Sequence, residues 1–177
     1  MSMVFIASSG TLTSTTASVS FLSVTQSFTH LQLRCFFKSA YSVAEGGLYV
    51  TPLFSNVGGG SGRFHNVSGN GSSAQSSSAS AYYTGVSSPV NSGTTSIFAS
   101  AVIDILDYTN TNKYKTIRTV GGFDANGAGI VGLGSMFRFD LLNAINGFVI
   151  DDSGGGGWLA GTRFDLYGIT SSQVTGA

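Results

Sequence analysis

The strongest constraint on this chain is a two-residue alternation of apolar and polar side chains. Residues 29–37 read Thr-His-Leu-Gln-Leu-Arg-Cys-Phe-Phe, with Leu31, Leu33, Cys35 and Phe37 at one parity and His30, Gln32 and Arg34 at the other. Successive side chains of a strand point to opposite faces, so the pattern predicts a strand with one buried and one wet face. Residues 136–141 repeat it, with Phe137, Phe139 and Leu141 inward and Arg138 and Asp140 outward. Residues 163–169 place Phe164, Leu166 and Gly168 opposite Arg163, Asp165 and Tyr167. Residues 113–120 alternate less cleanly but are rich in β-branched side chains.

Weaker strand candidates are 3–7, 17–24, 48–54, 81–86, 97–106 and 147–150. Short strands at such close spacing are the signature of an antiparallel sandwich or barrel of about eight to ten strands. No segment has a convincing amphipathic helical run, and 140–145 suits a single turn at most. Turn chemistry agrees with an all-β chain. Asn70-Gly71, Asn126-Gly127 and Asn146-Gly147 are pairs that favour positive φ and tight hairpins. Residues 58–62 and 69–80, almost pure Gly, Ser and Ala, read as loops, and 154–157 as a long hairpin tip. The 177 residues suit one domain. Residues 1–28 are expected to be an N-terminal arm or the first strands, 29–169 the β-sandwich, and 170–177 a frayed tail.

Composition narrows the function classes. Only 9% of residues are charged, and eight basic side chains balance eight acidic ones. Such a chain has little long-range attraction to nucleic acid or anionic membrane, and little repulsion between copies. No apolar run reaches the about 18 residues of a membrane span, and residues 1–16 lack the basic start and apolar run of a signal peptide. The single cysteine, Cys35, sits in the apolar parity of its strand and reads as a small buried hydrophobe.

Candidate chemistry is sparse. His30 lies on the polar face of a strand and His65 beside a Gly-rich stretch, with no Gly-x-Ser-x-Gly elbow anywhere. Residues 124–129 lack the ligands of a calcium loop and read better as a hairpin. Asp151 and Asp152 are adjacent on a strand, point to opposite faces, and read as a solvated strand end. The run 154–157 lacks the Lys-Ser/Thr of a phosphate loop. Lys113, Lys115 and Arg118 read as a solvated face. No catalytic, cofactor-binding or metal site is assigned. Tyr82, Tyr83, Tyr108, Tyr114 and Trp158 suit a sugar-stacking platform, although strand aromatics more often serve core or subunit interface. The candidate interface residues are Tyr108, Tyr114, Trp158 and Tyr167.

Three segments carry a resemblance. Residues 101–116 hold Ile105-Leu106-Asp107-Tyr108 running into Asn112-Lys113-Tyr114-Lys115. Residues 158–169 close on Leu166-Tyr167-Gly168-Ile169, and 29–34 fit the same order. Together they resemble a group of small virion structural proteins of tailed bacteriophages. The resemblance spans roughly 29–169 and implies a jelly-roll-like β-sandwich that acts through assembly rather than catalysis, without a cofactor. The group implies a chain made in the host bacterial cytoplasm and resident in the virion on head, neck or tail. Expected partners are identical subunits, in a closed oligomer such as a trimer, and other virion proteins such as major capsid, neck or tail proteins. Capsid decoration or cement is the first expectation and a neck or tail accessory the second. The alternative from another class is a carbohydrate-binding module on a virion fibre that engages a host glycan. In either reading Asp104 and Asp107 are expected to pair with Lys113, Lys115 or Arg118 across a short hairpin.

Overall fold

Leu31, Leu33, Cys35 and Phe37 are all buried while Arg34 and Phe36 are exposed, so the alternation of residues 29–37 is the burial pattern of a real strand. The computed structural model describes residues 2–42, 46–54, 57–58, 62–80, 83–89, 96–127, 129–139 and 142–170. Among them it contains thirteen strands and no helix. These are β1 (Ser2–Ser8), β2 (Ser18–Phe21), β3 (His30–Phe37), β4 (Gly46–Phe54), β5 (Val57–Gly58), β6 (Gly62–Gly69) and β7 (Ala74–Ala79). They continue with β8 (Tyr83–Ser88), β9 (Ala99–Leu106), β10 (Lys115–Asp124), β11 (Gly129–Phe139), β12 (Gly147–Asp152) and β13 (Arg163–Thr170).

The strands form two antiparallel sheets packed as a sandwich. The large sheet has the order β1-β13-β3-β9-β10-β11-β6-β7; the small one is β2-β12-β4-β5, with β8 also paired to β4. Setting aside β5–β7 and β10–β11 leaves four strands in each sheet, β1-β13-β3-β9 over β2-β12-β4-β8. Along the chain, β1, β3, β9 and β13 fall in one sheet and β2, β4, β8 and β12 in the other. That path of nested Greek keys is the jelly-roll connection. The two insertions enlarge the large sheet beyond β9, and β8 lies against β10, β11 and β6. β1 and β2 belong to the two sheets, so residues 2–21 are part of the sandwich.

The core lies between the sheets. Leu31, Leu33, Ile103, Ile105, Phe164 and Leu166 meet Leu48, Val50, Phe148 and Ile150 across it, all at 1% exposure or less. Each such side chain contributes about 1.5–3 kcal/mol of hydrophobic burial. Phe137 and Phe139 lie in β11, but which way their side chains point is outside what the structure describes, as are Leu141 and the tail beyond Thr170.

Several expectations need correction. Residues 69–80 are not a loop: Ala74–Ala79 is an edge strand in regular register with β6. Its side chains are small and polar, and Ser77 Oγ donates to Asn66 Oδ1 beside the backbone ladder, so it leaves no apolar period to read. β10 does alternate cleanly, but with Lys115, Ile117 and Thr119 inward. Lys115 is fully buried, and its ammonium donates to the carbonyls of Asn110, Lys113 and Leu142. Three acceptors match its three donors. Asn126-Gly127 forms the expected hairpin, with φ of 60° and 89°. Asn146-Gly147 does not. Its backbone bonds both neighbours, Asn146 N–H to Leu53 O at 3.0 Å and Val24 N–H to Asn146 O at 2.9 Å.

Residues 154–157 are no hairpin tip either, because β12 and β13 lie in different sheets. The run crosses the end of the sandwich in close contact with the chain at 16–17 and 40–41. A Cβ at Gly154 or Gly156 would overlap Tyr41, and one at Gly157 would overlap Thr16. Asp152, expected to be solvated, is buried and holds this run. It accepts from Ser39 Oγ at 2.8 Å, Gly154 N–H at 3.2 Å and Gly156 N–H at 3.1 Å. Asp151 is half-buried, and loss of hydration pushes its carboxyl above the usual Asp range.

Candidate functional site

The alternation that buries one face of the large sheet turns the other face outward as a ladder of polar and aromatic side chains. Register places Phe5 beside Tyr167, Tyr167 beside Gln32, Gln32 beside Asp104 and Asp104 beside Arg118. The side chains in this row touch. Phe5 meets the Tyr167 ring edge-on at 5.8 Å and 74°. The Arg34 guanidinium lies over the same ring, 5.0 Å from its centroid, and reaches Met3 Sδ at 3.7 Å. Arg34 Nε donates to Gln32 Oε1 at 3.2 Å, and Gln32 Nε2 donates to Asp104 Oδ1 at 2.9 Å. Arg118 closes the row through Nε at 3.2 Å and Nη2 at 2.5 Å on Asp104 Oδ2.

Asp104 and Arg118 pair with each other, and Arg34 rests on the Tyr167 ring face and the Gln32 amide. Arg118 is 63% exposed, so the pair with Asp104 is worth about 0.2–1 kcal/mol. Such a ladder fixes orientation and presents aromatic and guanidinium faces. Interface hot spots are enriched in those same groups.

Beyond Phe5 no further strand follows in the sheet among the described residues. β1 is a terminal strand, and Met3, Val4 and Phe5 are 43%, 46% and 55% exposed. Three consecutive apolar residues alternate between faces, so no single face can explain their exposure; the position of β1 at the edge of the sheet among the described residues does. No charged side chain precedes Arg34 in the chain.

The predicted interface residues divide. Tyr167 stands on the outer ladder and Tyr114 is 46% exposed. Tyr108 and Trp158 are fully buried and belong to the core. The Tyr108 hydroxyl donates to the Thr25 carbonyl, and Trp158 Nε1 donates to Ile150 O at 3.0 Å. Sequence periodicity cannot tell a strand-end aromatic that folds between the sheets from one that faces out. The sugar-stacking platform is therefore not assembled: two of its members are core, and Tyr83 packs edge-on against Phe64 at 5.3 Å. Tyr82 lies outside the described residues.

The titratable groups also separate. His30 on β3 and His65 on β6 are four strand spacings apart in the large sheet, roughly 19 Å. His30 Nδ1 accepts the Asp107 backbone N–H at 2.9 Å and lies 3.4 Å from Asp107 Oδ1. Asp107 pairs with Lys113 and Asp104 with Arg118, as the hairpin pairing anticipates, while Lys115 turns inward. Asp124 Oδ1 accepts from Gly127 N–H at 2.8 Å and so serves the turn. Burial, with Asp165 adding to it, pushes the Cys35 thiol far up and makes it inert. Among the described residues no three His, Cys, Asp or Glu side chains gather to hold a metal ion.

Met3, Val4, Phe5 and Arg34 are the site residues that pattern reading missed. Their signal was the charge-free run before Arg34. Comparison of the chain with family models, curated proteins and solved structures finds no match to any.

Proposed function

We propose that this chain is a non-enzymatic structural component of a tailed-phage particle, acting through assembly with copies of itself and with other virion proteins. Capsid decoration or cement is the favoured location, and a neck or tail accessory position the next. The observation that carries this is the edge of the large sheet, where exposed, uncharged Met3, Val4 and Phe5 adjoin Tyr167 and Arg34. Monomeric proteins usually blunt such an edge with charge, proline or a covering segment.

A second observation supports the same class. The three segments that carry the phage resemblance are distant in sequence, yet they supply β13, β3, β9 and the start of β10, four neighbours in the large sheet. Their Asp107, Tyr108 and Trp158 serve the turn and the core. What the segments share with that group is thus a scaffold, which suits a protein that works through its surface. Imaging of purified phage particles with a tagged chain tests the proposal. The tag is expected at regular sites on head, neck or tail; particles that carry none overturn it.

A further inference from the structure

We propose that β1 is the self-association element, pairing antiparallel with β1 of a second copy about a two-fold axis through Val4. This rests on the self-assembly proposed above and names its contact. An antiparallel edge-to-edge pair keeps the faces of both sheets aligned, so opposed residues must share parity. Centring on Val4 meets that condition. Val4 of one copy lies opposite Val4 of the other, and Met3 of each lies opposite Phe5 of its mate. The three exposed apolar residues of β1 are thereby covered together. On the outer face each Met thioether meets a Phe ring, a favourable sulfur–aromatic contact. That ring already leans on Tyr167, so the contact continues into the ladder.

The geometry allows this pairing. Ser2–Phe5 run in regular register with β13, and the ladder shifts only between Phe5 and Ala7. The bulge therefore ends the flat stretch after the residues that pair. An isologous contact requires residue i to meet j while j meets i. A strand with no charge, in a chain of formal net charge zero, sets no repulsion against its own copy. The opposite edge, β7, has the sequence Ala-Gln-Ser-Ser-Ser-Ala and is exposed throughout. It offers backbone groups but almost no apolar surface, so it gains far less from a partner.

Two variants of the full chain test the contact. Val4→Lys places a charge on the axis and is expected to weaken self-association by roughly tenfold or more. Leu22→Lys, at an apolar residue 67% exposed elsewhere, is expected to leave it unchanged. Circular dichroism checks that each variant is folded. In Val4→Cys the two thiols face each other across the axis, where opposed Cβ atoms lie about 4.5–5.5 Å apart. Mild oxidation is then expected to give a covalent dimer, and Leu22→Cys none. Association that persists in Val4→Lys, with no cross-link in Val4→Cys, overturns the β1 contact and leaves assembly through another surface standing. A wild-type chain that stays monomeric overturns both.

Discussion

Replacing Trp158 with Ala is expected to lower the stability of the fold by about 3–5 kcal/mol, the range for emptying a buried aromatic site. A domain of this size has about 5–15 kcal/mol in total, so the loss is a substantial share of it. Trp158 is fully buried. Its ring meets Phe37 at 5.5 Å and 84° and Phe164 at 5.5 Å and 68°, both from the large sheet. Its Nε1 donates to Ile150 O on β12, in the small sheet. The backbone at the same residue exchanges two hydrogen bonds with Thr16, at 2.9 and 2.8 Å. The side chain thus joins both sheets, and the backbone of the same residue ties in the segment that leads into β2. Trp158→Phe keeps most of the packing and is expected to cost less, chiefly the lost hydrogen bond to Ile150. Denaturant titration followed by circular dichroism measures both. A Trp158→Ala midpoint equal to wild type would mean that the ring lies at the surface.

Asp152→Ala is the second large effect, about 3 kcal/mol, because hydrogen bonds to a charged acceptor are the strong ones and the Ser39 hydroxyl is left buried without its acceptor. The carboxylate accepts from Ser39 Oγ, Gly154 N–H and Gly156 N–H. It ties β3's continuation to the glycine run that carries the chain from the small sheet to the large one. Asp152→Asn is expected to be nearly as damaging, since its amide nitrogen turns a donor toward donors. Asp151→Asn is the control. Asp151 lies one residue away, on the opposite parity, and its charge is a burden rather than an anchor. Amide exchange at Gly154 and Gly156 reads the local consequence: it should accelerate in Asp152→Ala and stay protected in Asp151→Asn. Equal exchange in all three proteins would remove Asp152 from this role.

Some strands could be read from alternation, because burial on one face writes a period of two wherever side chains alternate between core and water. β3 and β13 are such cases. β10 hid its inner face because Lys115 points inward, and a lysine is expected outside unless carbonyls collect around it. β7 left no pattern at all. The jelly-roll path could not be read from periodicity, since strand order depends on contacts far apart in sequence; the expectation came from the phage resemblance. The same non-locality divided the interface residues. Tyr167 was legible as an outward aromatic on a strand. Met3, Val4 and Phe5 were legible as a strand, but not as the strand at the edge of its sheet. Trp158 follows four glycines, and nothing local says whether such a run leads outward or folds back between the sheets.

The most direct measurement is the solution mass of the full wild-type chain, followed by light scattering as concentration rises. The outer ladder and the open β1 edge predict a mass climbing from 18.2 kDa toward a multiple of it. A mass that holds at the single-chain value throughout would contradict them.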